Sequence, residues 1–185
     1  MEQAVHTSFE NLSDPDRNIQ YGAFMKLLEI TDGEVDWAYD VWDQLVHDLS
    51  EGDNHDRSRA AQLLCRLSQS DPDKRMLHDF PKVWEVTKDK KFVTARHSLQ
   101  SIWRIALGGP EQKDMVIRYL KTRFIEASEE KHSTLIRYDI IDSLRTLYDR
   151  TDDEQIKELA LDLIEKEDDV KYKKKYKTRW KAFYK

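Results

Sequence analysis

A short helical pattern returns about every forty residues, and it constrains the fold more than any other feature of this sequence. Each copy places one amide or basic residue among apolar residues at helical spacing. These four marker residues are Gln20, Arg59, Arg96 and Arg137, which stand 39, 37 and 41 residues apart. A period of this length is typical of solenoids built from helix pairs, because each pair buries its apolar face by stacking on its neighbours.

Composition and helix-breaking residues both favour an all-α fold. The 185 residues include only 5 glycines and 4 prolines, while good helix formers abound. Pro15, Pro72 and Pro110 follow capping or turn residues at points where a helix is expected to begin, since proline is tolerated in the first turn. Together with the acid-rich break at 151–153, these positions predict ten helices. Their expected bounds are 2–11, 15–31, 34–49, 54–69, 72–87, 91–107, 110–128, 132–149, 152–167 and 170–184.

The ten helices combine into five predicted pairs. We expect a right-handed α-α superhelix that forms a single domain over residues 1–185. The approximate repeats are 2–31, 34–69, 72–107, 110–149 and 152–185. The first helix of a pair carries an apolar stripe on one face, as Val41, Leu45 and Leu49 show. Each of the four marker residues falls within the second predicted helix of its pair.

The second helices resemble those of HEAT repeats. The resemblance rests on Ala95–Leu99 and on residues 135–144, and on an acid upstream such as Asp53 or Asp89. In that family the second helix lines the concave side of the superhelix, and the aspartate typically pairs with an arginine inside the helix. The resemblance implies an armadillo-like fold with such pairs here, although Lys131 takes the place of the aspartate before Arg137.

The same resemblance implies a candidate binding surface along the concave side. Basic and amide side chains, with one tryptophan, are expected to project there from the second helices. These eleven predicted inner-face residues are Arg59, Gln62, Arg66, Arg96, Gln100, Trp103, Arg104, Arg137, Arg145, Lys171 and Lys174. They either contact a partner or, in the alternative, form intramolecular ion pairs or a solvated face.

The carboxyl-terminal segment differs sharply in charge from the rest of the chain. Residues 170–185 hold eight of the 31 basic residues and no acid, which leaves 23 basic and 36 acidic residues, a formal charge of −13, in residues 1–169. Tyr172, Tyr176 and Trp180 fall on one helical face. We therefore predict a last inner helix packed on the fourth repeat, the alternative being a mobile basic arm for nucleic acid or an acidic protein.

Motifs for catalysis, metal binding or cofactor binding are missing from the sequence. The six histidines occur singly, and Gly108 and Gly109 precede Pro110 in a turn rather than in a phosphate loop. Acid pairs such as Asp152-Asp153 suit helix starts. The single cysteine, Cys65, is flanked by leucines and is predicted to be buried. We predict no catalytic residue, no metal and no cofactor.

Residues 1–12 contain no apolar run of signal length, and no stretch of 18 apolar residues occurs in the chain. We therefore expect a cytoplasmic protein without a membrane segment, monomeric by default.

Three functions remain open at this point. The first is a non-enzymatic scaffold that binds a protein partner through its concave surface. The second is nucleic-acid binding or repair of alkylated bases, because the chain is distantly similar to the HEAT-like DNA alkylation-repair proteins, which use Trp, Asp and Arg in a basic channel. Residues 37–43 are rich in Trp and Asp but lie on a predicted outer helix. The third is an enzyme subunit or lyase on the same scaffold.

Overall fold

The computed structural model describes residues 2–184, so Met1 and Lys185, the ends of the predicted domain, lie outside it. Within that range the backbone is mostly helical and contains no β-strand, which confirms the predicted all-α fold. The α-helices are α1 (Gln3–Glu10), α2 (Arg17–Ile30), α3 (Ala38–Glu51), α4 (Asn54–Leu67), α5 (Arg75–Val86), α6 (Phe92–Leu99), α7 (Pro110–Glu126), α8 (Ser133–Thr151), α9 (Glu154–Glu165) and α10 (Val170–Arg179). Short 3₁₀ helices follow several of them, at Asn11–Ser13, Ser68–Ser70, Ile102–Gly108, Ala127–Glu129 and Lys181–Phe183.

Acidic side chains cap the helices where the sequence predicts helix starts. The Asp53 carboxylate accepts hydrogen bonds from the backbone N–H groups of His55 and Asp56, at 2.6 and 2.9 Å. Asp56 in turn accepts from the backbone N–H of Asp53, which completes a capping box. Asp153 and Asp169 cap α9 and α10 in the same way. Each cap satisfies amides that have no partner within the helix, and contributes about 1 kcal/mol.

One predicted helix, 91–107, is wrong in its second half. The α-helix ends at Leu99, and residues Ile102–Gly108 form a 3₁₀ helix. Ile102 and Ile105 are both fully buried. Side chains three residues apart lie directly above one another in a 3₁₀ helix, so this geometry places both isoleucines against the same core.

The chain divides into two compact units, Met1–Ser98 and Leu99–Lys185. In the first unit α3 packs against α4 and α5, while α2 packs against α1 and α4. In the second unit α8 packs against α9 and α10, while α7 packs against α8 and α9. The boundary falls inside the predicted repeat 72–107, and a single domain over 1–185 stays a prediction.

Hydrogen bonds in the first unit join residues that are one repeat apart. The indole Nε1 of Trp42 donates to Asp79 at 2.9 Å, across 37 residues of chain. The Tyr39 hydroxyl donates to Asp71 at 2.6 Å, across 32 residues. Trp42 is fully buried, as the sequence predicts, and Asp79 is 6% exposed. These bonds tie α3 to the turn before α5 and to α5 itself.

The carboxyl-terminal segment is helical and packs on α8, but the α-helix ends at Arg179, short of the predicted end at 184, and a 3₁₀ turn follows at Lys181–Phe183. Tyr176 and Trp180 are fully buried. The Tyr176 hydroxyl donates to the Thr134 carbonyl at 2.9 Å, and the Trp180 indole donates to the Ile141 carbonyl at 3.2 Å. The aromatic stripe that the sequence shows is thus the buried face of α10.

Cys65 is buried, as the sequence predicts, and Trp84 is buried as well. No helix within residues 2–184 is long and apolar enough to cross a membrane.

Candidate partner-binding surfaces

The guanidinium of Arg59, on α4, bonds to α2 and to the segment before it, and so joins the first two predicted repeats. It donates to the Gln20 side-chain oxygen at 2.7 Å and to the Leu12 carbonyl at 2.9 Å. The Gln20 amide donates in turn to the Asp14 carbonyl at 2.6 Å. The two marker residues are therefore bonded to one another, and together they hold the turn that precedes α2.

Three other predicted inner-face arginines bond to carbonyl groups in the last turns of neighbouring helices. Arg66 donates to the Leu28 carbonyl of α2 at 2.9 Å. Arg145 donates to the Arg179 carbonyl of α10 at 3.3 Å. Arg137 donates to the Phe124 carbonyl of α7 at 2.9 Å. Carbonyls in the last turn have no partner within their own helix and carry partial negative charge, so a guanidinium is well suited to them.

Arg137 lies at the centre of a buried polar cluster in the second unit. Its Nε donates to the Phe124 carbonyl at 2.9 Å, and its Nη1 lies 3.3 Å from Glu167. Glu167 is 4% exposed, and it lies 3.1 Å from the Tyr176 hydroxyl, whose single hydrogen is shared between Glu167 and the Thr134 carbonyl. Burial and the adjacent Glu167 carboxylate raise the pKa of Tyr176 above its ordinary value, so this phenol stays protonated and remains a donor.

An aspartate–arginine pair joins α4 to the turn after α5, but its arginine is not one of the marker residues. Arg57 Nε donates to Asp89 at 2.6 Å, across 32 residues. Burial alone would raise the pKa of Asp89, but the Arg57 guanidinium and the Lys91 backbone amide hold it below its ordinary value. The other expected aspartate, Asp53, caps α4. Sequence reasoning missed Arg57 because it stands two residues before the repeating position.

The ion pair between Arg57 and Asp89 predicts a free energy of unfolding that depends on pH. Because the folded pKa of Asp89 lies below the unfolded value of 3.8, the contribution of its carboxylate is complete above pH 3.8 and is lost as the pH falls through the folded pKa. Asp89→Asn should therefore lower the free energy of unfolding at pH 7, with a smaller difference from wild type at pH 3. Urea denaturation at both pH values measures this, and an equal loss at both would contradict it.

Arg96 and Gln100 are more accessible than the other predicted residues of the third repeat. Arg96 is partly exposed, and its guanidinium lies 5.9 Å from the centre of the Phe92 ring. Gln100 is exposed and its amide donates to Asp139 at 2.9 Å, across 39 residues.

Trp103 and Arg104 offer little surface to a ligand. Both lie in the 3₁₀ segment and are buried, at 6% and 8% exposure. The Arg104 guanidinium stacks 4.7 Å from the centre of the Trp103 ring. A role for either in binding stays a prediction.

A groove of about 600 Å³ opens in the first unit, and its walls come from three of the predicted second helices. α2 supplies Tyr21 and Phe24, α4 supplies Arg59 and Gln62, and α6 supplies His97. Tyr21 is 66% exposed. The groove thus combines aromatic, cationic and amide groups with the carboxylates of Asp53 and Asp56, and it contains two of the predicted inner-face residues.

A smaller groove of about 410 Å³ follows α10 in the second unit. It is lined by lysines with an apolar residue at each end, Val170 and Tyr184. Lys174 lines this groove, while Lys171 is exposed on the same helix.

Two further observations concern the Trp- and Asp-rich segment 37–43 and the acidic, histidine and cysteine side chains. Trp37 and Trp42, the tryptophans of the Trp- and Asp-rich segment, are both buried and therefore belong to the core around α3. Among residues 2–184, no group of three or more His, Cys, Asp or Glu side chains could hold a metal ion. No protein-family model matches this chain, and no curated protein is similar enough to be matched with it.

Proposed function

We propose that this chain is a HEAT-like solenoid of about five helix pairs, arranged as a right-handed superhelix, that binds a protein segment through its concave side and carries out no chemistry itself. Packing within each unit supports the proposal. Helices two positions apart are in contact, namely α2 with α4 and α3 with α5 in the first unit, and α7 with α9 and α8 with α10 in the second. Stacking of equivalent helices in this way is the basis of repeat architectures.

The groove in the first unit is the observation that carries the functional part of the proposal. Its volume of about 600 Å³ lies within the range of ligand-binding clefts. α2 also exposes three large apolar side chains, Ile19 at 43%, Tyr21 at 66% and Met25 at 45%. Tyr21 and Met25 are four residues apart and share one face of α2. A contiguous exposed apolar face marks a protein-interaction surface, where aromatic residues commonly dominate the binding energy.

The arginine contacts favour a protein partner over nucleic acid. Arg59, Arg66 and Arg137 already donate to carbonyl or carboxylate oxygens within the chain. Neutralising phosphates would require them to give up these bonds, and phosphate contacts supply most of the affinity for nucleic acid. The sequence pI of about 5.7 is also low for a nucleic-acid-binding domain. Nucleic-acid binding therefore ranks second.

A peptide library displayed on phage and selected on the whole protein tests the proposal with a defined ligand. Selected peptides should bind at least tenfold more weakly to Tyr21→Asp than to wild type, because Tyr21 is the most exposed aromatic side chain of the groove. Ile125→Asp is the matched control, since Ile125 is 50% exposed on α7 and outside the groove. It should change the affinity less than twofold.

Three outcomes would contradict this function. They are the enrichment of no peptide, an equal loss of affinity in Tyr21→Asp and Ile125→Asp, or binding of duplex or single-stranded DNA that is tighter than peptide binding and weakens steeply with salt. Thermal melts of both variants should match wild type, because both side chains are exposed.

A further inference from the structure

Seven residues of α10 and of the turn after it line the groove, namely Lys173, Thr178 and five others. Three of the five stand on α10 at spacings of four and three residues, which keeps them on one stripe, and the last two follow in the turn. In order the five are Val170, Lys174, Lys177, Lys181 and Tyr184. The opposite face of the same helix holds the buried Tyr176 and Trp180. The stripe is therefore the outward face of a helix whose position is fixed by its own core contacts.

Two of the three lysines among these five side chains have no acidic partner. Lys177 lies 2.7 Å from Glu165, and its Nζ is 4.8 Å from the centre of the Tyr184 ring. Lys173, at the edge of the groove, also pairs with Glu165, at 3.2 Å. Lys174 and Lys181 are exposed, and across residues 2–184 no carboxylate lies within ion-pair distance of either. The groove therefore has uncompensated positive charge at Lys174 and Lys181, on either side of the paired Lys177.

The two ends of the groove are apolar. Val170 is 83% exposed, the largest exposure of any large apolar side chain among the described residues. At the other end Tyr184 is partly buried, and burial raises its pKa to about 12, so its ring remains uncharged. Two apolar positions thus flank the lysines, and the nine helical steps from Val170 to Arg179, of about 1.5 Å each, carry α10 roughly 14 Å before the turn that holds Lys181 and Tyr184.

We infer that this groove binds an acidic segment of a partner protein, with carboxylates against Lys174 and Lys181 and an apolar side chain against Val170 or Tyr184. Charge complementarity commits the occupant to an acidic chain, and the apolar ends add contacts that a phosphate backbone could not use. Extended peptide advances about 3.3 Å per residue, so about five residues span the α-helical part of the groove, and a longer acidic segment also reaches Tyr184.

The surroundings of α10 disfavour a nucleic acid in the same place. Asp168 and Asp169 are exposed immediately before the helix, and Glu165 lies beside the groove. A phosphate chain that continued past Val170 would approach these carboxylates, whereas a short acidic peptide can end there. The site is separate from the groove on α2, so it does not depend on the function proposed for that surface.

Fluorescence anisotropy with a labelled nonapeptide tests the inference on the full chain. The probe has Leu at both ends and seven Glu or Asp between them, and its counterpart carries Gln and Asn instead. At 50 mM NaCl we expect the acidic probe to bind wild type and its neutral counterpart to bind at least tenfold more weakly. Lys174→Glu with Lys181→Glu should weaken binding of the acidic probe at least tenfold, and Val170→Asp at least threefold.

The matched control is Lys82→Glu with Lys121→Glu, which replaces two exposed lysines on α5 and α7. Each double variant moves the formal net charge from −5 to −9, because every Lys→Glu change removes two positive units. The control should change the affinity less than twofold. An equal loss in both double variants would show that overall charge alone is responsible and would overturn the inference.

Three further results would also overturn it. One is no binding of the acidic probe at 1 mM. Another is tighter binding of a ten-nucleotide single-stranded DNA, which would assign the groove to nucleic acid. The third is self-association in sedimentation velocity that Lys174→Glu with Lys181→Glu abolishes, which would assign it to a second copy of this chain. None of these results bears on Tyr21→Asp, so failure here and failure of the proposed function remain distinguishable.

Discussion

Trp42→Ala is expected to lower the free energy of unfolding by about 3–5 kcal/mol, the range for truncating a large buried aromatic residue. The ring is fully buried, and it contacts Tyr39 edge-on at 5.8 Å between ring centres. Its indole N–H is also the donor to the buried Asp79, so the substitution removes both packing and a hydrogen bond between repeats. Urea denaturation followed by circular dichroism measures the loss.

Two variants separate these contributions. Trp42→Phe keeps most of the ring but removes the donor, so it should cost about 1–3 kcal/mol from the weakened solvation of Asp79. Asp79→Asn keeps an acceptor for the indole and should cost less than Trp42→Ala. A loss below about 1 kcal/mol in Trp42→Ala would mean that this inter-repeat contact does not hold the first unit together.

Most helix positions could be predicted because their signals are local. A proline or an acidic cap lies within a few residues of the start it marks, as Asp53 and Asp169 show. The 3₁₀ segment could not be found in this way. Over the four residues from Ile102 to Ile105, apolar spacing of three fits an α-helix and a 3₁₀ helix equally well, and the choice depends on packing against distant residues.

The candidate site was harder to predict than the fold, because arginine chemistry is ambiguous in sequence. The repeating pattern placed Arg59 and Arg137 on helices, and they lie on α4 and α8. It could not show that their guanidiniums bond to Leu12 and Phe124, since those carbonyls lie 47 and 13 residues away. The apolar ends of the α10 groove were missed for a different reason. The aromatic stripe in the sequence indicates the buried face of α10. The lysines indicate a charged exposed face, but they do not show that Val170 and Tyr184 lie at the two ends of a groove.

Arg137→Ala is expected to lower the free energy of unfolding by about 3–5 kcal/mol, as is typical when one member of a buried ion pair is removed. Glu167 is 4% exposed and would lose its cation, and the Phe124 carbonyl would lose its donor. Urea denaturation at pH 7 measures the loss. Arg137→Met with Glu167→Gln is the control, because it removes both charges at similar volume and should recover a substantial part of the stability.

The same variants decide between the two roles that the sequence leaves open for Arg137. A structural role predicts that Arg137→Ala destabilises the protein while Arg137→Met with Glu167→Gln, once folded, binds selected peptides as wild type does. A binding role predicts the reverse, with stability within about 0.5 kcal/mol of wild type in Arg137→Ala, the usual range for a surface substitution, and lost affinity. The contacts with Phe124 and Glu167 favour the first result, because a guanidinium held by two partners within the chain must break those bonds before it can reach a ligand.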